Sequence, residues 1–379
     1  DRVASRGLGD VYKRQGTLSP PNHLSASFVK ANFLGLGDKI SMQKAVQAIQ
    51  STTGEKRQEL DDLSFQEWLE INGQSERAIL RFWNPISKLA LNVDSSKSSA
   101  ASAIFLFRKA LLGKANALDV GCFTNDFSSA VSSSLRRTLA ASGVEVHLSS
   151  SATSLFREAG VVTGVKTREA FFAADRVIIC TPIAETARLL TGSSASIKSH
   201  EVAENLAKLG NTSQIGIHAF HEGPILPEGI PFVTCCDEPM IQMLFDRSGE
   251  LDDGNRDGLP GHWICTPVSH ADDYLHWDDE LIQTEYERVI GSAFPNSPAL
   301  LEFHVVRKNR ASTSMTTGSQ RLRPSPIDAG QGVILGGDWI DIEWPSSLEG
   351  ETRAGLVAAA TLLRDCLLYT SPSPRDATL

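Results

Sequence analysis

Apolar residues recur every three or four positions along the first third of the chain, which is the spacing of one face of an α-helix. This pattern predicts helices over about 42–49, 64–71, 75–86 and 99–112. Ser64 and Glu67 form a capping-box signature at the start of the second helix, and Asn72-Gly73 ends it. Pro85 should kink or end the third helix, because proline lacks the N–H that the helical ladder needs.

Shorter apolar runs replace this pattern after about residue 125. A helix is predicted over 128–142, followed by strands at 144–148, 153–157, 161–167 and 174–182. Glu158-Ala159-Gly160 supplies the turn between the second and third of these strands, and Pro182 ends the last one. A helix followed by a strand, a hairpin and a strand is typical of a nucleotide-binding α/β domain.

A third pattern covers residues 211–268, where apolar and polar residues alternate. Ile215, Ile217 and Ala219 show the period of two that predicts a half-buried strand, and we expect a mostly antiparallel sheet in this region. A helix over 278–294 and an apolar run over 301–307 follow, and the latter leads back to the nucleotide-binding domain.

The most informative segment lies near the C-terminus. Val333 to Leu335 form an apolar run of the kind found in buried parallel strands. Gly336 and Gly337 follow it and allow the backbone to pass close to another group. Asp338 then places a carboxylate at the carboxyl end of the strand, where open α/β sheets bind their ligands.

A small-residue helix is predicted shortly after this aspartate. Ser346 and Glu349 have capping-box spacing, with Pro345 just ahead of them. The N–H groups at such a helix start form a positive pole that suits an electron-rich ligand. Glu349 could serve the cap, contact the ligand, or do both.

Composition narrows the class of protein. The chain has 41% hydrophobic residues, a mean hydropathy of −0.13 and a net charge of −9, which together predict a folded core and argue against a nucleic-acid partner. No apolar run reaches the roughly 20 residues of a membrane helix, although peripheral contact with a membrane stays open. The six cysteines lack metal-ligand spacing, so we expect reduced thiols, a cytoplasmic protein and no metal site.

The two ends of the chain are expected to be foreign to the protein. SRGLGDVYKRQ near the start and CLLYTSPSPRD near the end can be encoded by reverse-complementary DNA, as a library adapter read from opposite strands would be. We therefore interpret 1–15 and 366–379 as adapter-derived and exclude them from the fold prediction.

Several segments resemble one flavoprotein superfamily, the FAD-dependent amine oxidases and phytoene desaturases. LDDLSFQEWL (60–69), QSERAILRFWNP (74–85) and the 332–355 motif are most similar to its hydroxysqualene dehydroxylases, also called squalene-associated FAD-dependent desaturases; 307–311 and 321–324 are weaker matches. Gly336 stands where this superfamily usually has alanine. The N-terminal dinucleotide fingerprint is missing, which we interpret as truncation.

The resemblance implies an α/β fold with a two-part Rossmann-like FAD/NAD(P)-binding domain, incomplete at its N-terminus, and a mixed helix/antiparallel-sheet substrate domain. We expect a helical part of the substrate domain over 16–127, FAD-binding parts over 128–190 and 307–365, and the rest of the substrate domain over 191–306.

FAD is the implied cofactor. Asp338 would bind its ribityl or pyrophosphate region, the strand near Thr153 its adenine, and the 346–355 helix would point at the flavin edge that becomes negative on reduction. The cofactor-binding residues expected from the resemblance are Thr153, Thr181, Pro182, Gly336, Gly337, Asp338, Trp339, Pro345, Ser346, Ser347, Leu348 and Glu349. Phe82, Trp83 and Trp344 could form an apolar substrate wall, although Phe82 and Trp83 also have the spacing of core residues.

The implied activity is reduction of hydroxysqualene to squalene in hopanoid or related triterpenoid synthesis, with an apolar isoprenoid substrate. The alternatives are a carotenoid-type desaturase, an amine oxidase, and a non-catalytic lipid-binding relative. Without the first βαβ unit, we expect the chain as it stands to bind FAD weakly and to be inactive.

Overall fold

The computed structural model describes residues 33–113, 123, 127–192, 195–248 and 261–370. Two compact units divide the chain: residues 1–146 with 212–311, and residues 147–211 with 312–379. The adapter prediction for 1–15 lies outside the described residues, as do 371–379 of the predicted C-terminal adapter segment.

Helices occupy the first part of the first unit, as the apolar spacing predicted. They are α1 (Leu36–Ser51), α2 (Arg57–Asp61), α3 (Phe65–Ile71), α4 (Glu76–Ala78), α5 (Asn84–Leu91), α6 (Ala100–Leu106) and α7 (Ser133–Ala141), with short π-helical segments at Ile79–Trp83, Phe107–Leu111 and Ser128–Ser132. The capping box at the start of α3 is confirmed: the Ser64 hydroxyl accepts from the Glu67 N–H, and the Glu67 carboxylate accepts from the Ser64 N–H.

The chain stays helical through Pro85, so this proline does not end the helix. A wide π turn precedes it, in which the Asn84 N–H donates to the carbonyl of Ile79. Helix α5 begins at Asn84, which places Pro85 in its first turn, where a missing N–H is tolerated.

Aromatic rings form the centre of this helical part. Trp83 meets the ring of Phe107 edge-on at 4.9 Å and that of Phe65 at 6.1 Å, and Phe65 stacks on Phe107 at 5.3 Å. The indole N–H of Trp83 donates to the Gln74 side-chain oxygen at 2.9 Å, so the polar atom of this buried ring is satisfied.

The rest of the first unit is the antiparallel sheet that the alternation predicted. Its strands are β5 (Asn211–His221), β6 (Phe232–Thr234), β7 (Met243–Asp246), β8 (His262–Ser269) and β9 (Leu300–Thr313), in the order β6-β7-β8-β5-β9. The predicted helix after the sheet is α10 (Asp279–Ala293), capped by Asp278. One face of the sheet packs with α10 in a core that includes Ile215, Ile217, Ala219 and the buried Tyr286.

The second unit combines a hairpin sheet, two helices and a parallel strand pair. Strands β1 (Ser154–Glu158), β2 (Val161–Lys166) and β3 (Phe171–Ala173) form an antiparallel sheet, while β4 (Val177–Ile179) pairs in parallel with β10 (Val333–Leu335). Helices α8 (Ile183–Leu190), α9 (Ile197–Leu209) and α11 (Leu348–Thr370) complete the unit. Helix α11 continues into the first residues of the segment predicted to be adapter-derived.

The predicted strand at 144–148 is wrong. These residues are irregular and exposed, and no described strand pairs with them. An apolar run becomes a strand only where a neighbour takes up its backbone hydrogen bonds. Strand β3 was not predicted, because its run of three residues is too short to show a period.

Among the described residues, no helix has the length and apolar composition needed to cross a lipid bilayer. The same residues hold no group of three potential metal ligands. Asp278 caps the start of α10, and Asp279 pairs with Arg307 at 2.6 Å.

Candidate cofactor site

Strand β10 carries the C-terminal motif and is fully buried. Val333, Ile334 and Leu335 pair in register with Val177, Ile178 and Ile179 of β4. The Gly336 N–H then donates to the carbonyl of Ile179 at 2.8 Å, which extends the parallel ladder by one residue. The motif therefore leaves the sheet at its carboxyl end, as predicted.

Neighbouring protein atoms leave too little space for a β-carbon at either glycine of the motif. A β-carbon on Gly336 would lie 2.8 Å from Cys180 Sγ and 3.0 Å from the β-carbon of Ala358 in α11. A β-carbon on Gly337 would lie 2.1 Å from the indole nitrogen of Trp339. The close approach expected at these positions is thus to a helix, a thiol and an indole of the second unit.

Asp338 is partly buried, and hydroxyl groups hold both of its carboxylate oxygens. The Thr313 hydroxyl donates to Oδ1 at 3.3 Å, and the Ser346 hydroxyl donates to Oδ2. A carboxylate has about four lone-pair sites, so each oxygen can still accept from a ligand hydroxyl.

The predicted capping box of Ser346 and Glu349 is wrong. Ser347 caps α11 instead, because its hydroxyl accepts from the Gly350 N–H at 3.1 Å and its carbonyl accepts from the Glu351 N–H at 2.8 Å. Glu349 pairs with Arg353 one turn later, at 2.7 Å. Helix geometry still leaves the N–H groups of Leu348 and Glu349 without an intrahelical acceptor.

A second carboxylate stands near Asp338 in the first turn of α11. Burial, and then the negative charge of Asp338, raise the pKa of Glu351 above its ordinary value. Two carboxylates at one helix start disfavour a phosphate there, whereas they favour groups that donate hydrogen bonds. This residue was not predicted, since nothing in the local sequence distinguishes it from other helical glutamates.

The side chain of Arg323 is buried, with 5% of its surface exposed, and it holds the loop between β10 and α11. Its Nε donates to the carbonyl of Ile340 at 2.9 Å and one terminal nitrogen to that of Trp344 at 3.0 Å. The other terminal nitrogen donates to the carbonyl of Asp338. The 321–324 segment was noted for its resemblance, but this role depends on carbonyls that only the folded loop brings together.

Thr181 and Trp339, both predicted cofactor contacts, are joined to each other. The buried Trp339 donates its indole N–H to the carbonyl of Thr181 at 3.0 Å. The Thr181 hydroxyl lies 2.8 Å from that of Thr186 in α8, and Pro182 provides the N-cap position of that helix. The corner after β4 is therefore fixed directly beside the C-terminal motif.

Thr153 lies just before β1, and its backbone is already bonded within the unit. Its N–H donates to the Lys166 carbonyl at 2.7 Å, and its own carbonyl accepts from Arg188 at 2.6 Å. Recognition of an adenine by this backbone stays a prediction, and it would have to share these groups.

The three expected wall residues have different surroundings. Phe82 and Trp83 are 1% and 0% exposed in the first unit, which is the core position that their spacing favoured. Trp344 is half-buried in the second unit, with the guanidinium of Arg353 4.4 Å from its ring centre. Phe82 and Trp83 are packing residues, and a wall role for Trp344 stays a prediction.

These residues fit FAD at its sugar-alcohol and flavin portions. Asp338, oriented by Thr313 and Ser346, can accept hydrogen bonds from hydroxyl groups of the cofactor. The free N–H groups at the start of α11 suit an electron-rich ring edge. Whether Asp338 contacts the ribityl chain or the pyrophosphate of FAD stays a prediction.

Comparison with known proteins identifies the class. Residues 6–363 match the family model described as flavin containing amine oxidoreductase. Since this match spans most of the chain, the protein belongs to the flavin containing amine oxidoreductase family, and its cofactor is FAD.

Two curated relatives are hydroxysqualene dehydroxylases. The protein from Rhodopseudomonas palustris is 25% identical over 283 residues, covering 74% of this chain and 61% of that protein. The protein from Sinorhizobium fredii is 23% identical over 297 residues, covering 78% and 64%. The chain thus spans less than two thirds of the length of either relative, and it is similar to this subgroup as the sequence segments predicted.

Among solved structures, cyclohexylamine oxidase from Brevibacterium oxydans is similar to this chain with a TM-score of 0.61 and 13% sequence identity. The likeness covers 96% of this chain and 74% of that one. At this identity it shows the fold alone, which confirms the α/β fold of FAD-dependent amine oxidases.

Proposed function

We propose that the protein reduces hydroxysqualene to squalene in the synthesis of hopanoids or related triterpenoids. The observation that carries this proposal is its similarity, over about three quarters of the chain, to two hydroxysqualene dehydroxylases. The candidate cofactor site supports it, because the residues that the resemblance placed around the flavin contain a carboxylate and a helix start that fit FAD.

The proposed reaction replaces a C–O bond of the substrate with a C–H bond. It consumes two electrons and two protons and releases the hydroxyl group as water. FAD, when bound, supplies the redox chemistry, and the protein contributes binding, orientation and electrostatics.

Each part of the candidate site has a defined task. Asp338 accepts hydrogen bonds from the sugar-alcohol chain, and Thr313 and Ser346 keep its oxygens in place. Ser347 caps the start of α11 through the Gly350 N–H, so the N–H groups of Leu348 and Glu349 remain for an electron-rich ring edge.

We also propose a cytoplasmic protein that receives its apolar substrate at the inner face of the cytoplasmic membrane. The described cysteines Cys180, Cys235, Cys236 and Cys265 form no disulfide, which fits a reducing compartment. A substrate as apolar as hydroxysqualene partitions into lipid, so an enzyme that uses it has reason to touch the bilayer surface.

The test is an anaerobic assay of the purified protein with FAD, a chemical reductant and hydroxysqualene. We expect squalene as the product and flavin absorbance in the purified protein. Oxidation of phytoene or of an amine, with no squalene formed, would assign the site to a desaturase or an amine oxidase. A colourless protein that binds lipid but not FAD would indicate a non-catalytic relative.

A further inference from the structure

Thr313 is flanked on both sides by hydrogen bonds to one turn of the chain. The residue before it, Ser312, accepts at its carbonyl from the side-chain amide of Asn211 at 3.2 Å. The residue after it, Ser314, donates its N–H to the carbonyl of Gly210 at 3.2 Å. All five residues belong to the second unit. We call Gly210 and Asn211 the clamp, because together they fix the backbone on either side of Thr313.

The conformation of Gly210 explains why the clamp can form. This residue ends α9 with φ 65° and ψ −170°, a backbone region that is essentially restricted to glycine. A β-carbon here would meet nothing within 4 Å, so the backbone conformation rather than a lack of space requires the glycine. Asn211 follows as the first residue of β5. The turn from α9 into β5 thus depends on a glycine, and both hydrogen bonds to the neighbours of Thr313 depend on that turn.

The side chain of Thr313 carries the effect of the clamp to the candidate cofactor site. Thr313 is 3% exposed, and its hydroxyl donates to Oδ1 of Asp338 at 3.3 Å. Threonine is branched at its β-carbon, which restricts rotation about χ1, so the direction of the hydroxyl follows the backbone closely. Fixing the backbone at Ser312 and Ser314 therefore also fixes the donor that orients the carboxylate.

We propose that Gly210 and Asn211 are positioning residues of the candidate cofactor site, acting through Thr313 on Asp338. The clamp aims the Thr313 hydroxyl at Oδ1, and the carboxylate is thereby held in the orientation in which it accepts from FAD. Binding groups reach their full affinity only when supporting residues lock their geometry. The inference rests on the proposed function in that Asp338 is a contact of FAD, but it adds two residues that the resemblance did not place in the site.

The test measures the affinity of the 379-residue chain for FAD by equilibrium dialysis. Thr313→Val keeps the shape of the side chain but removes the hydroxyl, and it should weaken FAD binding by about 3- to 10-fold. Asn211→Leu keeps nearly the same size but removes the amide donor, and it should weaken binding by about 3-fold. The matched control is Asn309→Leu at an exposed position of β9, which should leave the affinity unchanged.

A double variant separates positioning from a general structural effect. In the Thr313→Val background, Asn211→Leu should cause no further loss, because the hydroxyl that it positions is gone. Thr313→Ser keeps the hydroxyl, so it should keep both the affinity and the sensitivity to Asn211→Leu. A purely structural effect of Asn211 would instead lower the affinity by the same factor in every background.

Gly210→Ala disturbs the same turn by a second route, through its backbone conformation. It should weaken FAD binding in the unchanged background and have no further effect together with Thr313→Val. The urea midpoint of each variant shows whether the chain is folded. If Asn211→Leu does not fold, the Gly210 variant decides the question.

Equal losses with and without the Thr313 hydroxyl, or no loss in either clamp variant, would overturn the inference. Absence of FAD uptake by the unchanged chain would overturn it as well. The proposed function is decided separately by product analysis. Squalene formation without the coupling would leave the reaction standing and the clamp wrong, whereas coupling without reduction of hydroxysqualene would leave the clamp standing and the reaction wrong.

Discussion

The Sγ atom of Cys180 lies only 2.8 Å from the ideal position of a β-carbon on Gly336, which is too close for a real β-carbon. These two residues follow the paired strands β4 and β10, so the thiol and the glycine share one narrow space beside α11. The superfamily that the motif resembles usually has alanine here. The glycine in this chain is therefore matched to its cysteine neighbour.

Gly336→Ala should destabilise the protein by about 1–3 kcal/mol, since the added methyl overpacks the contact with Cys180 and Ala358. The free energy of unfolding in urea measures the effect. In a chain that also carries Cys180→Ala, the same substitution should cost about half as much, because the sulfur is gone and Ala358 remains. Equal costs in the two backgrounds would show that the thiol does not limit this space.

Ser347→Ala should weaken α11 by about 1 kcal/mol, because the Gly350 N–H loses its side-chain acceptor. The neighbouring Ser346→Ala is the matched comparison. It should leave the helix start intact and instead free one oxygen of Asp338. Chemical denaturation together with helix content from circular dichroism separates the two. A larger helical loss in the Ser346 variant would restore the capping box predicted from the sequence.

Arg323→Lys should destabilise the second unit by roughly 2–4 kcal/mol. A lysine ammonium is a compact point charge and cannot reach three separate carbonyls as the planar guanidinium does. Some of those carbonyls would then be buried without a donor. The exposed Arg321→Lys serves as control and should shift the unfolding midpoint little. Similar losses for both variants would argue against a special role of Arg323.

Glu351→Gln should stabilise the protein at neutral pH. The pKa of Glu351 is raised above its ordinary value of 4.5, so the folded protein holds this proton more tightly than the unfolded chain. Stability therefore falls as the pH rises from 4.5 through the folded pKa, and the full penalty is present at pH 7. Urea unfolding at pH 4 and pH 7 should show a gain mainly at the higher pH.

The control for that experiment is Glu349→Gln. Glu349 is exposed and paired with Arg353, so its substitution should bring no gain at pH 7. A gain of equal size in both variants would point to the general charge of the chain rather than to the contact with Asp338.

Local signals in the sequence were sufficient wherever neighbours along the chain decide the structure. Ser64 and Glu67 bond each other within four residues, and the capping box was predicted correctly. The alternation around Ile215 and Ile217 likewise predicted β5, because one face of that strand is buried under α10.

The same kind of signal failed where a distant group competes for a side chain. Ser346 has the right spacing to cap α11, but the carboxylate of Asp338 takes its hydroxyl, so the cap moves to Ser347. The position of Arg323 among three carbonyls depends on tertiary contacts that no spacing along the chain encodes.

The three hydrogen bonds of Arg323 to the loop also have a consequence for how this protein can change over evolution. The guanidinium donates only to main-chain carbonyl oxygens, which every amino acid possesses. Its hydrogen bonds therefore do not depend on which side chains the loop carries. Mutations along that loop can therefore accumulate without altering its path. Related proteins could therefore change the side chains of this loop, and with them its contacts, while Asp338 and the start of α11 stay in position.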